Sequence, residues 1–356
     1  MAVQARPVIL DSDPGVDDAL GILLAVRSPE VDLKAVTVCA GNVGLDQCAL
    51  NALKTLRVAG ASPAIPVARG AVRPLRRSPF RAPGTHGPDG LGDVSKAAYP
   101  NPPARELDAR HAVEVIVDLA RAHPDAREDG VPPERCLTIV ATGPLTNIAL
   151  AISADPGAMR RVGRIIWMGG AYATHGNATP VAEFNAFCDP DAAQEVLSFG
   201  VPTTVIGLDA SLRCPLMRDD LRQIMESSSS PVARYAWAIS QFSMDFRRDY
   251  EGVDGCYLHD PLAVGLAIQP TLTTCSELHR VHVVTEPGVT CGMTVIDRRP
   301  RHGGTDAARD ARCARRNRWE SGVLEGFGLD LSSHPVEVVF SVDRAAFLGR
   351  FASCLS

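Results

Sequence analysis

The chain has 356 residues, 46% of them hydrophobic and 22% charged, with a formal net charge of −5. That is enough for one large α/β domain or two smaller ones, and the charge gives no reason to expect general nucleic-acid or membrane binding. No apolar run nears the length of a membrane span, so neither nucleic acid nor a membrane is an expected partner.

In chain order, "PVIL" predicts a buried strand at Val8–Leu10, and "ALGILLAV" predicts a helix at about 18–27 with one apolar face. The turn between them, "DSDPGVDDAL", holds Asp11, Asp13, Asp17 and Asp18, with Pro14 and Gly15 making the bend. Further strands are expected at Ala35–Cys39, Leu137–Ala141, Ile165–Met168 and Thr203–Ile206. Helical patterns fall at about 46–59, 144–153, 189–199 and 231–247. The alternation predicts an α/β fold with a mostly parallel sheet covered by helices, a Rossmann-like open sheet. Residues 70–103 are rich in Pro, Gly and Arg and read as a long loop beside a cleft. Residues 297–318 carry eight arginines and read as an exposed insertion, after which "PVEVVF" and "AAFLGRF" resume a strand and a helix. The start "MAVQARPVIL" lacks a secretory layout, and the 10 cysteines show no CxxC pair. Reduced thiols in a cytoplasmic protein, without a zinc site, are the expectation.

Polar residues collect where these strands end: the acid cluster, then Asn42 in "CAGNVG", Thr142 in "ATGPLTN", and Asn177, Glu183 and Asn185 after "RIIWMGG". Farther on, "YLHDPLAV" sets His259 and Asp260 at a helix start. In an open parallel sheet the carboxyl ends of the strands border the ligand crevice. Each residue also has a local reading: Asp17 and Asp18 complement a helix dipole, Asp260 caps a helix ahead of Pro261, and Asn42 and Thr142 serve turns. Capping needs one acid, however, and leaves Asp11 and Asp13 unexplained. A cation accounts for the cluster, and the oxygen-rich surroundings favour a hard ion such as calcium or magnesium. An EF-hand is excluded, because the loop pattern begun at Asp11 would need Gly and Glu where Val16 and Ile22 stand. Asp11-Ser-Asp13 also resembles the D-x-D of phosphatases that form an aspartyl-phosphate, although Gly15 departs from that pattern.

Together, "DSDPGVDDAL", "GNVG", "THGPDGLG", "ATGPLTNIALA", "MGG", "EFNAFCDP" and "HDPLAV" resemble the calcium-dependent nucleoside hydrolases of the inosine–uridine-preferring type. The resemblance runs from about residue 8 to residue 296 and leaves the Arg-rich stretch unaccounted for. It implies a single domain over 1–356 that cleaves the N-glycosidic bond of ribonucleosides to ribose and free base by a calcium-activated water. It further implies that Asp13, Asp18, Asp260 and the main-chain carbonyl of Thr142 hold Ca2+, with Asp13 also the general base. Asp17, Asn42, Asn177, Glu183 and Asn185 would bind ribose, His259 would assist departure of the base, His86 would border the base pocket, and Asp11 would support the others from behind. A homodimer or homotetramer is the implied assembly. The competing readings are the D-x-D phosphatase and a non-catalytic nucleoside-binding protein, the latter expected to have lost Asp13 or Asp18.

Overall fold

Residues 5–94, 98–103, 106–298 and 334–356 are described by a computed structural model. The chain begins with β1 (Arg6–Ser12), α1 (Val16–Arg27), β2 (Val31–Val38), α2 (Leu45–Ala59) and β3 (Val67–Arg69). After α3 (Pro83–His86) and α4 (Ala112–Ala122) come β4 (Thr138–Ala141), α5 (Thr146–Ala154), α6 (Pro156–Met159) and β5 (Arg164–Met168). Next are α7 (Phe184–Cys188), α8 (Pro190–Ser198), β6 (Thr203–Ile206), α9 (Leu208–Ser211), β7 (Pro215–Met217) and α10 (Arg218–Ser227). The long α11 (Pro231–Glu251), β8 (Gly255–Tyr257) and α12 (His259–Ile268) precede β9 (Thr273–His279), β10 (His282–Val283) and β11 (Thr294–Val295). The chain closes with β12 (Val336–Val342) and a terminal helix, Arg344–Leu355.

The central sheet has eight strands in the order β3-β2-β1-β4-β5-β6-β12-β9. All its pairings are parallel except β12 with β9. Its central strands are buried on both faces, which is why they read as continuous apolar runs rather than alternations. One face carries α1, α2, α11, α12 and the terminal helix, through residues such as Leu20, Leu56, Ile239, Leu266 and Phe351. The other carries α4, α5 and α8, through Ile116, Ile148, Val196 and Trp167.

The expected mostly parallel sheet is therefore present, and all six expected strands lie in it, "PVEVVF" as β12. The first grows to seven residues, so that Asp11 belongs to the strand itself. The helix expected to stop at 247 runs on to Glu251, where Gly252 in the left-handed region (φ 71) ends it. Helix α4, the seven-residue strand β9 and the short strands β3, β7, β8, β10 and β11 were not anticipated. The described part of 70–103 holds one short helix, α3. Of the Arg-rich stretch only Asp297 and Arg298 fall within the described residues; 299–318 lie outside them.

Strand β1 sits between β2 and β4, so the chain winds outward from it in opposite directions. Such a switch point opens a crevice at the carboxyl ends of the diverging strands, here where Asp13 and Thr142 follow β1 and β4. Beneath the crevice the fully buried Trp167 donates from Nε1 to the carbonyl of Gly143 at 3.2 Å. Trp167→Ala should therefore cost about 3–5 kcal/mol. Urea unfolding measures this as a lower midpoint at unchanged slope, and a loss below about 1 kcal/mol would show that the crevice floor collapses onto the gap.

Candidate active site

The acid cluster divides by depth. Asp11, within β1, accepts hydrogen bonds at Oδ1 from the Thr37 hydroxyl (2.5 Å) and Asn147 Nδ2 (2.8 Å). It lies below the crevice, away from the cavity wall. A D-x-D phosphatase would need that carboxylate facing substrate, which this placement disfavours. Asp13 is held in a slot between two glycines. A Cβ at Gly41 would lie 2.0 Å from its Oδ2, and one at Gly143 would lie 2.6 Å from its Oδ1. Its Oδ2 accepts the Asn42 amide at 2.7 Å, while Oδ1 is buried with no partner.

Asp18 serves two purposes. Its Oδ2 accepts the Gly15 amide at 3.0 Å at the start of α1, so the helix-capping reading holds for this residue. It also accepts from Ser12 Oγ (2.7 Å), Thr142 Oγ1 (2.8 Å) and Asn42 Nδ2 (3.0 Å), which ties β1, β4 and the β2–α2 loop to one carboxylate. Helix α12 packs along α1, where a Cβ at Gly21 would be 3.6 Å from the main-chain carbon of Asp260. That packing brings Asp260 to the cluster. Asp17, Asp18 and Asp260 then present oxygens within 4.8 Å of one another, a group able to hold a metal ion. Asp17, implied to be a ribose ligand, is in it, whereas Asp13, implied to be a metal ligand, stands beside it with its free Oδ1.

The remaining expected residues meet around a cavity of about 680 Å³ whose wall includes Asp17, Asn42, His86, Thr142, Asn177, Glu183, Asn185, His259 and Asp260. Glu183 caps α7, taking the amides of Asn185, Gly170 and Ala186 at 2.8, 2.9 and 3.0 Å. Asn185 donates from Nδ2 to the Thr142 carbonyl (2.9 Å), which retains a second lone pair, and to the Met168 carbonyl (3.0 Å). Asn177 is at the exposed mouth and accepts the Phe184 amide at 2.9 Å. His86 accepts the Val16 amide at Nδ1 (3.1 Å) and lies 3.7 Å from Asp17. Ser211 Oγ gives its one proton to the Gly207 carbonyl (3.0 Å), so His259 Nδ1, 2.8 Å away, must donate to Ser211. His259 Nε2 is thereby left a buried lone pair without a partner.

Sequence reasoning missed the wall formed by α11. Ser243, Phe246, Arg247 and Glu251 line the cavity, and their i, i+3, i+4, i+8 spacing is the signal that could have found them. Leu212 and Tyr257 join them.

Burial dominates the electrostatics. Desolvation raises Asp11 to about 6 and Glu183 to about 7. Desolvation first, then the neighbouring acids, lift Asp13 and Asp260 well above the usual carboxylate range. Asp17 and Asp18 are raised mainly by burial as well. Burial drives His86 down to about 4 and, aided by the charge of Arg247, His259 to about 3. A divalent cation would relieve the stacked negative charge, and the orphaned Asp13 Oδ1 offers it a further donor.

An acid-lined, oxygen-rich crevice at the switch point of a parallel sheet defines an α/β enzyme suited to a hydroxyl-rich substrate. The chain belongs to the inosine-uridine preferring nucleoside hydrolase family, whose model matches residues 8–349. It is 38% identical over 292 residues to an inosine-uridine preferring nucleoside hydrolase of Leishmania major, covering 82% of this chain and 88% of the relative. It is 40% identical over 296 residues to a pyrimidine-specific ribonucleoside hydrolase of Photobacterium profundum, covering 83% and 89%. Among solved structures, a plant nucleoside hydrolase superposes with a TM-score of 0.81 at 32% identity, covering 98% of each chain. A purine-preferring ribonucleoside hydrolase from Gardnerella vaginalis gives 0.80 at 30% identity, also covering 98% of each. The chain is thus an N-glycosyl hydrolase of the nucleoside hydrolase family. Among the described residues no helix is long and apolar enough to cross a membrane.

These shifts fix the sign of a stability test. Carboxyl groups whose values folding raises bind more protons in the folded than in the unfolded state. Metal-free stability from them is therefore present at low pH and lost as pH rises through the raised values, about 6 for Asp11 and about 7 for Glu183. His86 and His259 act oppositely, and their contribution is lost as pH falls from 6.5 toward about 4 and about 3. Asp13→Asn removes a buried charge but keeps an oxygen for the Asn42 amide. In chelator it should raise unfolding stability by roughly 1–3 kcal/mol while reducing the stabilisation that an added divalent cation gives. Thermal melts with and without the cation measure both, and a variant less stable than wild type in chelator would show that the Asn42 contact outweighs the repulsion.

Proposed function

We propose that this chain hydrolyses the N-glycosidic bond of ribonucleosides carrying purine or pyrimidine bases, with calcium as its resident ion and Asp13 as general base. The observation that carries this reading is the convergence of Asp17, Asp18 and Asp260 beside Asp13 on one cavity-bearing crevice. Asp13, Asp18, Asp260 and the Thr142 carbonyl would hold the ion. Every donor is oxygen, which suits a hard cation and not zinc. Bound there, calcium orients ribose hydroxyls and makes the attacking water easier to deprotonate.

The protein's own groups supply the rest. Asp13 Oδ1, buried and free of hydrogen bonds, takes the proton from water. Asp17, Asn42, Asn177, Glu183 and Asn185 bind and orient the ribose, and the carboxylates among them stabilise the positive charge that grows on the sugar ring. His86 borders the base, and His259 assists its departure. The retention of both Asp13 and Asp18 argues against a non-catalytic binder on the same scaffold. The proposal extends to one cytoplasmic domain over 1–356 that assembles as a homodimer or homotetramer. The family match along 8–349 and nine free cysteines among the described residues support it.

The test is release of reducing sugar from inosine, uridine, adenosine, cytidine and 2′-deoxyinosine. Ribonucleosides should be cleaved, 2′-deoxyinosine should be poor because a missing hydroxyl leaves buried partners unpaired, and chelator should abolish release until calcium is restored. Asp18→Ala should lose both calcium binding, read by calorimetry, and activity. Cleavage indifferent to chelator, or an Asp18→Ala variant with stoichiometric calcium and near-normal turnover, would remove the metal from this scheme.

A further inference from the structure

Breaking a glycosidic bond leaves an electron pair on the base, and something in the site must meet it. The acids serve the opposite charge. The α11 wall carries a different kind of group. Arg247 is a cation with a side chain only 11% exposed, and it lines the same cavity as the acids. Its Nη1 is engaged by Glu251, one helical turn on. Its Nε–H is buried and has no partner. A buried, unpaired guanidinium donor costs stability unless something completes it, and of the arginine Nε–H groups so placed among the described residues, on Arg161, Arg164 and Arg247, that of Arg247 is the one at this cavity.

The surroundings say which part of a nucleoside that is. The guanidinium carbon lies 5.1 Å from the centre of the Tyr257 ring and 5.9 Å from that of Phe246. Flat aromatic surfaces suit a planar base, whereas the hydroxyl-binding amides and carboxylates lie on the other elements. The proton inventory around Ser211 leaves His259 Nε2 a lone pair, so the resting imidazole offers no N–H there, and the Arg247 Nε–H does.

Resting on the hydrolase reading above, we propose that Arg247 is a catalytic residue for the departing base: its Nε–H donates to a nitrogen or carbonyl oxygen of the nucleobase, and its charge stabilises the electron pair released when the C1′–N bond breaks. In the balanced step the water oxygen bonds to C1′ and Asp13 takes one water proton. The base carries off the bonding pair against Arg247 and takes a proton from solvent, Asp13 later returning its own to solvent, so that one water is consumed for each bond broken. A permanent guanidinium needs no proton transfer in the bond-breaking event, and oxygen-bearing bases such as hypoxanthine and uracil place the charge where it can donate.

The experiment compares Arg247→Met and Arg247→Lys with wild type on inosine and on 4-nitrophenyl riboside, whose leaving group is already a stable anion. Arg247→Met should lose about 100-fold in kcat on inosine, as for removal of one preorganised donor, and no more than about 10-fold on the nitrophenyl riboside. Arg247→Lys, which keeps the charge, should recover part of the inosine loss. Residual nitrophenyl riboside cleavage also shows that the fold and sugar site survive. Equal losses on the two substrates, or an Arg247→Met variant close to wild type on inosine, would overturn the assignment while leaving the hydrolase reading intact. A wild-type chain that releases sugar from neither substrate with calcium present would overturn both.

Discussion

Four carboxylates, Asp13, Asp17, Asp18 and Asp260, are brought together out of water, and their mutual repulsion is the constraint around which the rest is arranged. Neither burial nor proximity is cheap for ionised groups, and the fold offsets the cost with directed hydrogen bonds. Asp18 shows the extent of this: two hydroxyls, one main-chain amide and one side-chain amide, from four segments, all point at it. Those segments meet only because β1 lies between β2 and β4, so the topology of the sheet and the chemistry of the site have one origin.

The same constraint explains why particular residue types stand near the acids. Gly41 and Gly143 leave the space that Asp13 occupies, and any side chain there would collide with its carboxylate. Asn42 donates twice toward the cluster and once more from its main chain. Asn185 fixes the Thr142 and Met168 carbonyls, which belong to the ends of β4 and β5. Second-layer groups of this kind set the orientation of the donors a cation would meet.

The sheet strands and the acid cluster were legible in the sequence because they rest on local patterns: continuous apolar runs for doubly buried strands, and a density of acids that no helix cap requires. Two things were not legible. Short strands such as β7 and β8 are too brief to carry a period, and they exist because they pair with each other across the base of α11. The partners of individual side chains depend on packing between distant segments. Nothing local in "THG" indicates that His86 caps α1 from 70 residues away, or that Ser211 decides which nitrogen of His259 carries the proton. The α11 wall was obscured for a related reason. Its polar residues sit in a helix whose outer face is equally polar, so its amphipathic pattern marks the core and leaves a cavity-facing arginine looking like surface.

With that wall included, the site carries fixed charge of both signs. Carboxylates gather where the ribose would lie, and a desolvated guanidinium with a free donor lines the same cavity among aromatic rings. Heterolysis of a C–N bond leaves positive charge on the sugar and negative charge on the base, and on the proposed reading fixed charges already in place would stabilise both without reorganising. The low values of His86 and His259 follow first from burial and then from the neighbouring charge of Arg247. In a buried space already holding one cation, a second positive charge on either ring is opposed by Arg247 as well as by desolvation. Burial comes first in keeping both histidines neutral, and the guanidinium in the same cavity reinforces it.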